Sequence, residues 1–330
     1  MRTEPAEISV VVPVYRCDDC LRALHARLAA TLGDLVDSWE LVLVDDGSPD
    51  GSWQTCTELA AEDEHVRAIK LSRNFGQHAA ITAGVAESRG RWTVVMDCDL
   101  QDPPEAIRDL YAKALEGADV VFARRRVRAQ SGLRRLANRI YFGLRRSLTG
   151  VDLETEHSNL SMISEKARDA FLSVRDQHRN FLLILYWLGF ERATIEFEHA
   201  ERYAGRSSYT LRKLIRVGLD GLFFQTTAIL RWIVYIGFAI AASSIVLAGY
   251  YVWQYFATAT YPGWTSLAIL ILLIGGFIII AVGVTGLYLG KVFEQVKDRP
   301  LYLVDERIGG EAVDRELRIA ESEQRVRERA

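Results

Sequence analysis

The stretch VVMDCDLQDPPE, residues 94–105, closes an apolar run with two aspartates, Asp97 and Asp99, two positions apart. Alternate residues of a strand share a face, so the two carboxylates are expected to point the same way, about 7 Å apart along the backbone. Like charges held side by side are unfavourable unless something positive lies between them. The pair therefore reads as a solvated turn at a strand end, or as part of a site that holds a positive group.

Other residues able to do chemistry lie at comparable positions. Asp45 and Asp46 open the turn DDGSPDG, Arg73 and Asn74 open SRNFGQHAAITAG, and Arg125 follows the run ADVVFA. Cys17 and Cys20 form a C-x-x-C where a strand gives way to a helix, the place of a redox motif. No second ligand pair accompanies them, and four cysteines in a reducing compartment suggest no disulfide framework, so they read as incidental. The sequence has neither a Walker A segment nor a G-x-G-x-x-G, which leaves no P-loop and no dinucleotide fingerprint.

The elements that must position these residues are visible in the hydrophobic pattern. Five β-branched runs, ISVVVP, ELVLVDD, VRAIKLS, WTVVMDCD and ADVVFA, alternate with stretches of helical composition in the first 125 residues. Strands apolar on both faces and alternating with helices indicate a mostly parallel α/β sheet covered on both sides. Ligands of such sheets bind beyond the carboxyl ends of the strands. The acids and arginines just named should therefore converge on one edge. Ala79, Ala80, Ala83 and Gly84 suggest a helix packed closely on that sheet, and DPPE a helix start.

The rest of the 330-residue chain is different in kind. From Trp232 to Gly290 there is no Asp, Glu, Lys or Arg over 59 residues. Two spans, about 232–256 and 267–290, are each long enough to cross a hydrocarbon core of about 30 Å, with a Pro-Gly turn between them. Arg212, Lys213, Arg216 and Arg231 precede the first span, Lys291, Lys297 and Arg299 follow the second, and the connecting loop has no basic residue, so both ends are expected in the cytoplasm. ISVVVPVY is too short, and too closely flanked by acids, for a secretory signal. A net charge of −3 gives no bulk basicity for nucleic acid. The segment 124–146 nevertheless carries nine arginines and no acid, interleaved with Leu, Ile, Tyr and Phe. Nucleic acid or an anionic membrane surface would suit it, and the spans in the same chain favour the membrane.

In chain order, VVPVY, VDDGSPDG, SRNFGQHAAITAG, MDCDLQDPPE, RYAGRSSYTLRKL, LDG and the apolar hairpin resemble family 2 glycosyltransferases, and within them the polyprenyl-phosphate glycosyltransferases with a C-terminal two-helix membrane anchor. The likeness extends to about residue 305. It implies a GT-A fold, a nucleotide-sugar donor carrying UDP or GDP, and Mg²⁺ or Mn²⁺. It implies that Pro13 and Tyr15 line the base site, that Asp45 meets the base edge, and that Asp97 faces the ribose and the metal. Asp99, with Gln101 nearby, would hold the metal against the diphosphate, and Arg125 would stand near the phosphates. Arg202, Gly205 and Ser207 match the loop that grips the acceptor phosphate, with Arg206 in place of a lysine that is Ser208 here. Two further departures are Arg16-Cys17, where the family has Asn-Glu, and SNLSM (158–162), which puts Asn159 where an aspartate has been proposed as base.

The organisation this implies is a cytoplasmic catalytic domain over 1–208, an interfacial amphipathic helix over 209–231, a transmembrane pair over 232–290 and a charged tail over 291–330. The expected reaction is inverting transfer of one sugar to a polyprenyl phosphate at the cytoplasmic face of the inner or plasma membrane. The alternative is transfer to a hydroxyl of a lipid-linked saccharide. Expected partners are the donor, the lipid and the membrane, with no nucleic acid. Assembly into a homo-oligomer stays open.

Overall fold

The computed structural model describes residues 6–125, 157–177, 179–197 and 263–309, with scattered positions between 233 and 253. The arginine-rich stretch beyond Arg125, the loop with Arg202, Gly205, Arg206 and Ser207, the 209–231 segment and residues 310–330 lie outside the described residues. The described residues fall into two compact units, one holding those up to 125, 157–197 and those from Pro300 onward, the other the apolar helices up to Arg299.

In the first unit, β1 (Ile8–Val14), β2 (Trp39–Asp45), β3 (Val66–Leu71), β4 (Trp92–Val95), β5 (Val120–Arg125), β6 (His157–Ser164), β7 (Arg192–Phe197) and β8 (Val304–Ile308) form one sheet in the order β7-β5-β6-β4-β1-β2-β3-β8. All strands except β6 and β8 run the same way, which meets the expectation of a mostly parallel sheet. ADVVFA, the fifth apolar run, forms β5 but does not pair with β4. Instead β6 enters antiparallel between β4 and β5.

The alternation of side chains divides the core into two layers. Val10, Val12, Leu41 and Leu43 pack on α1 (Asp18–Gly33), α2 (Ser52–Glu62) and α4 (Ile107–Leu115) through Leu24, Leu28, Leu59 and Leu110. Val11, Val42, Val44 and Ile69 face α3 (Gln77–Glu87), α5 (Glu165–Ser173) and α6 (Phe181–Leu188) through Ile81, Phe171 and Leu185. Helices therefore cover both faces. The small residues of α3 do the packing their size suggests: a Cβ at Gly84 would lie 2.2 Å from the Val11 side chain.

The tail reading did not anticipate β8, which pairs antiparallel with the edge of β3. At the amino ends of the strands a buried polar cluster fixes it there. Ser9 Oγ donates to Glu40 at 2.6 Å, Arg67 bridges Glu40 and Glu87 at 3.2 Å each, and Arg307 of β8 meets Glu87 at 3.0 Å.

In the second unit, α7 (Trp264–Val296) runs 33 residues, beyond both ends of the span expected at 267–290. Its stretch Ile274–Val296 is the one helix among the described residues long and apolar enough to cross a membrane. Every described position between 233 and 253 is helical, and a Cβ at Gly237 would come within 3.6 Å of Phe277. Ser243 and Thr285 hydroxyls donate to the carbonyls of Ala239 and Ala281, four residues back, so neither polar group needs water.

Candidate active site

The carboxyl ends of β1, β2, β3, β4 and β5 and the start of β6 share one edge, and the acids converge there as their spacing requires. β4 ends at Val95, so Asp97 and Asp99 lie past the strand, in a turn. The strand alternation expected to align them does not apply. Their placement comes from the turn, where Leu100, 3% exposed, holds a left-handed φ of 58°. Such backbone in a branched residue is strained, and burial of the side chain keeps it in place. Asp99 accepts from the Gln101 N–H at 3.2 Å, and Asp102, fully buried, accepts the Ser158 hydroxyl, tying the end of the turn to β6.

Asp97 is held from two other elements. Gln77 Nε2, at the start of α3, donates to Oδ1 at 2.7 Å, and Asn159 Nδ2, on β6, lies 3.1 and 3.3 Å from Oδ1 and Oδ2. The β4–β6 ladder pairs Val94 with Met162 and Val95 with Ser161, and carried two residues further it sets Asp97 opposite Asn159. An amide there donates to the carboxylate, where an aspartate would oppose it with a like charge. Sequence reasoning singled out Asn159 as a missing base and passed over Gln77, whose one signal is its place at a helix start on the ligand edge.

The first two acids of DDGSPDG shape loops. Asp45 is fully buried and accepts the Ser48 N–H at 3.2 and 3.3 Å, and Asp46 accepts the Phe75 and Gly76 N–H groups at 2.7 and 2.9 Å. Burial pushes the pKa of both above the usual carboxylate value, with these hydrogen bonds acting in the opposite direction. Gly47, at φ 64°, lets the two loops touch: a Cβ there would stand 2.7 Å from Asn74 N. Pro13 is buried beside Val44, and Tyr15 is 44% exposed with the Arg16 guanidinium 5.5 Å from its ring centre. Arg125 ends β5 at the same edge.

The cysteines are buried and unpaired, apart from the half-buried Cys98. Cys17 Sγ donates to the Cys98 carbonyl at 3.2 Å, and hydrogen bonding and burial push its pKa well up, as burial, helped by nearby acids, does for Cys20 and Cys56. Thiols held protonated make poor nucleophiles and poor metal ligands, in keeping with an incidental role.

Among the described residues no group of three or more His, Cys, Asp or Glu is arranged to hold a metal. Two carboxylates still suit Mg²⁺ or Mn²⁺, hard cations that take oxygen ligands and draw others from substrate phosphates and water.

Residues 9–172 match the family model described as Glycosyl transferase family 2. An undecaprenyl-phosphate 4-deoxy-4-formamido-L-arabinose transferase of Proteus mirabilis is 37% identical over 310 residues, 92% of this chain and 94% of its own. The uncharacterized glycosyltransferase YkcC of Bacillus subtilis is 30% identical over 305 residues, again 92% of this chain and 94% of its own. Among solved structures, a glucosyl-3-phosphoglycerate synthase of Mycobacterium tuberculosis overlays on 66% of this chain and 76% of its own at 18% identity and a TM-score of 0.49, too distant to bear on chemistry.

Proposed function

The chain belongs to glycosyltransferase family 2 and is a glycosyltransferase, and from that premise we propose that it transfers a sugar from a UDP- or GDP-linked donor to a polyprenyl phosphate, with inversion at the anomeric carbon. Similarity to undecaprenyl-phosphate transferases across nine-tenths of the chain supports the acceptor class. The observation that carries the reading is the pair Asp97 and Asp99 on the ligand edge with Asn159 engaged as a donor to Asp97. An amide cannot take a proton from a sugar hydroxyl. A phosphate monoester is already ionised near neutral pH, its second pKa being about 6, and needs no strong base. The bond formed joins a phosphate oxygen to the anomeric carbon, and the bond broken sends the electron pair to the departing nucleoside diphosphate.

In this reading Asp97 and Asp99, with Gln101 beside them, hold Mg²⁺ or Mn²⁺ against the diphosphate. The ion, when bound, offsets the charge that grows on the leaving group. Pro13 and Tyr15 line the base. Asp45 meets the base edge only by adding an outward bond to those it makes with Ser48. Arg125 neutralises phosphate charge, and Arg202, Gly205, Arg206 and Ser207 grip the acceptor phosphate. Residues 1–208 form the catalytic domain, 209–231 lie at the interface, and a pair of helices over 232–290 spans the membrane with both termini cytoplasmic. Here β8 is a return of the chain to the catalytic sheet beyond the pair, so the 291–330 segment is only in part a tail.

The test is incubation of the purified protein with a panel of labelled UDP- and GDP-sugars and short polyprenyl phosphates. Label passing to polyprenyl phosphate in a divalent-cation-dependent way is expected. Transfer only to the hydroxyl of a lipid-linked saccharide would replace this reading with the alternative acceptor.

A further inference from the structure

The two amides on Asp97 have no part in the reaction as described, yet they come from separate elements and meet on one carboxylate. Gln77 is the first residue of α3 and lies at the surface, so no packing requirement calls for its amide at 2.7 Å from Asp97. Asn159 comes from β6, the antiparallel strand between β4 and β5, two residues before the last ladder pair, and its amide reaches Asp97 in the turn beyond β4. Asp99, two residues on, accepts the Gln101 N–H of its own turn.

We propose that Gln77 and Asn159 are positioning residues that orient the Asp97 carboxylate for a divalent cation bound with the donor diphosphate. The proposal rests on the glycosyltransferase reading and extends it to two residues that reading gives no task. Neutral donors suit the task. A carboxylate ligand works only if its lone pairs are aimed, and hydrogen bonds to the ligand from behind supply the aim. An arginine or lysine would also aim it but would cancel the charge the cation needs. A further acid would repel it. A neutral amide does neither, and both Gln77 and Asn159 bring one to Asp97. The two bonds also explain how a turn past the end of a strand, with strained backbone at Leu100, presents its first acid reproducibly. α3 and β6 are anchored in the core through Ile81, Ala83, Leu160 and Met162, so the aim is fixed by the rigid part of the domain.

The test uses the full-length protein in detergent or nanodiscs. Mn²⁺ binding is followed by electron paramagnetic resonance with UDP, and in parallel GDP, as the nucleotide probe. The variants are Gln77→Ala, Asn159→Ala and, to preserve side-chain volume where alanine perturbs folding, Gln77→Met and Asn159→Leu. Each should weaken nucleotide-dependent Mn²⁺ binding about tenfold, the lower end of the effect of removing a partner behind a metal ligand, with an unchanged melting temperature in the absence of metal. Turnover at low Mn²⁺ should fall by a similar factor and recover at saturating Mn²⁺, a rescue that a merely structural defect would not give. Variants that fold and bind Mn²⁺ as the parent does would overturn the positioning role. A parent protein that binds neither Mn²⁺–UDP nor Mn²⁺–GDP would instead sink the metal-dependent glycosyltransferase reading beneath it.

Discussion

The guanidinium of Arg307 lies 3.0 Å from the carboxylate of Glu87, 220 positions earlier in the chain. Glu87 is 5% exposed and also meets Arg67 at 3.2 Å, so β8 is tied to a buried charge network. Arg307 itself is about half exposed, which screens its share. Arg307→Ala is expected to cost about 1 kcal/mol in chemical denaturation of the full-length protein. Ending the chain after Arg299 should cost more, because the β3 edge then loses its partner strand. A truncated protein as stable as the full chain would show that β8 adds nothing to the sheet.

Asp97→Asn and Asp99→Asn should each abolish transfer while leaving the protein folded and membrane-inserted. Loss of a carboxylate ligand removes stabilisation of the leaving diphosphate by several kcal/mol. Chelation by EDTA should inactivate the parent equally, and radiolabel transfer persisting in EDTA in both variants would remove the metal from the mechanism.

The distribution of Lys and Arg around the apolar segment motivates the proposed topology. Reporters fused at residue 1 and after residue 330 should both read cytoplasm, and one inserted at Gly263 the opposite side. A cytoplasmic signal from Gly263 would mean that the helices do not cross as a pair.

Arg202→Ala is expected to raise the KM for polyprenyl phosphate or lower kcat, with donor binding nearly unchanged. An arginine fork can engage phosphate through two parallel N–H groups. If Arg202 only pairs with Glu198 or Glu201 at the surface, its loss costs at most about 1 kcal/mol of stability and leaves acceptor kinetics intact. Calorimetry of donor binding beside acceptor titrations separates the two.

His78 offers a pH test. Its ring accepts the Phe181 N–H at 3.4 Å and meets the Asn180 amide at 3.3 Å, and burial lowers its pKa from 6.5. The unfolded chain then takes up the proton more readily than the folded one. The contribution of His78 is fully present above pH 6.5 and is lost as the pH falls through the lower folded pKa, with a slope of at most about 1.4 kcal/mol per pH unit. Denaturation midpoints of His78→Gln should fall less steeply with acid over that window, and slopes parallel to the parent's would assign the acid sensitivity elsewhere.

By itself the sequence determined the layered α/β sheet, the edge on which the acids gather and the apolar segment, because each is written in local periodicity. Runs such as ISVVVP are apolar on both faces wherever they are placed, and 59 residues without a charge mark an apolar segment long enough to cross a bilayer. Only the tertiary structure decided what pairs with what. The antiparallel entry of β6 and the return of β8 depend on partners far along the chain, and no local pattern encodes a neighbour at that separation. The same holds for the site. Asp97 and Asp99 announce themselves by type and spacing, but the bonds from Gln77 and Asn159 arise where α3 and β6 arrive at one edge, 20 and 62 positions away in sequence. Asp45 and Asp46, adjacent and alike in type, are told apart only by the fold: Asp45 closes its own turn through the Ser48 N–H, and Asp46 ties that turn to the next loop through the Phe75 and Gly76 N–H groups. Residue type shows which chemistry is available, and the packing of distant elements decides which groups are left to do it.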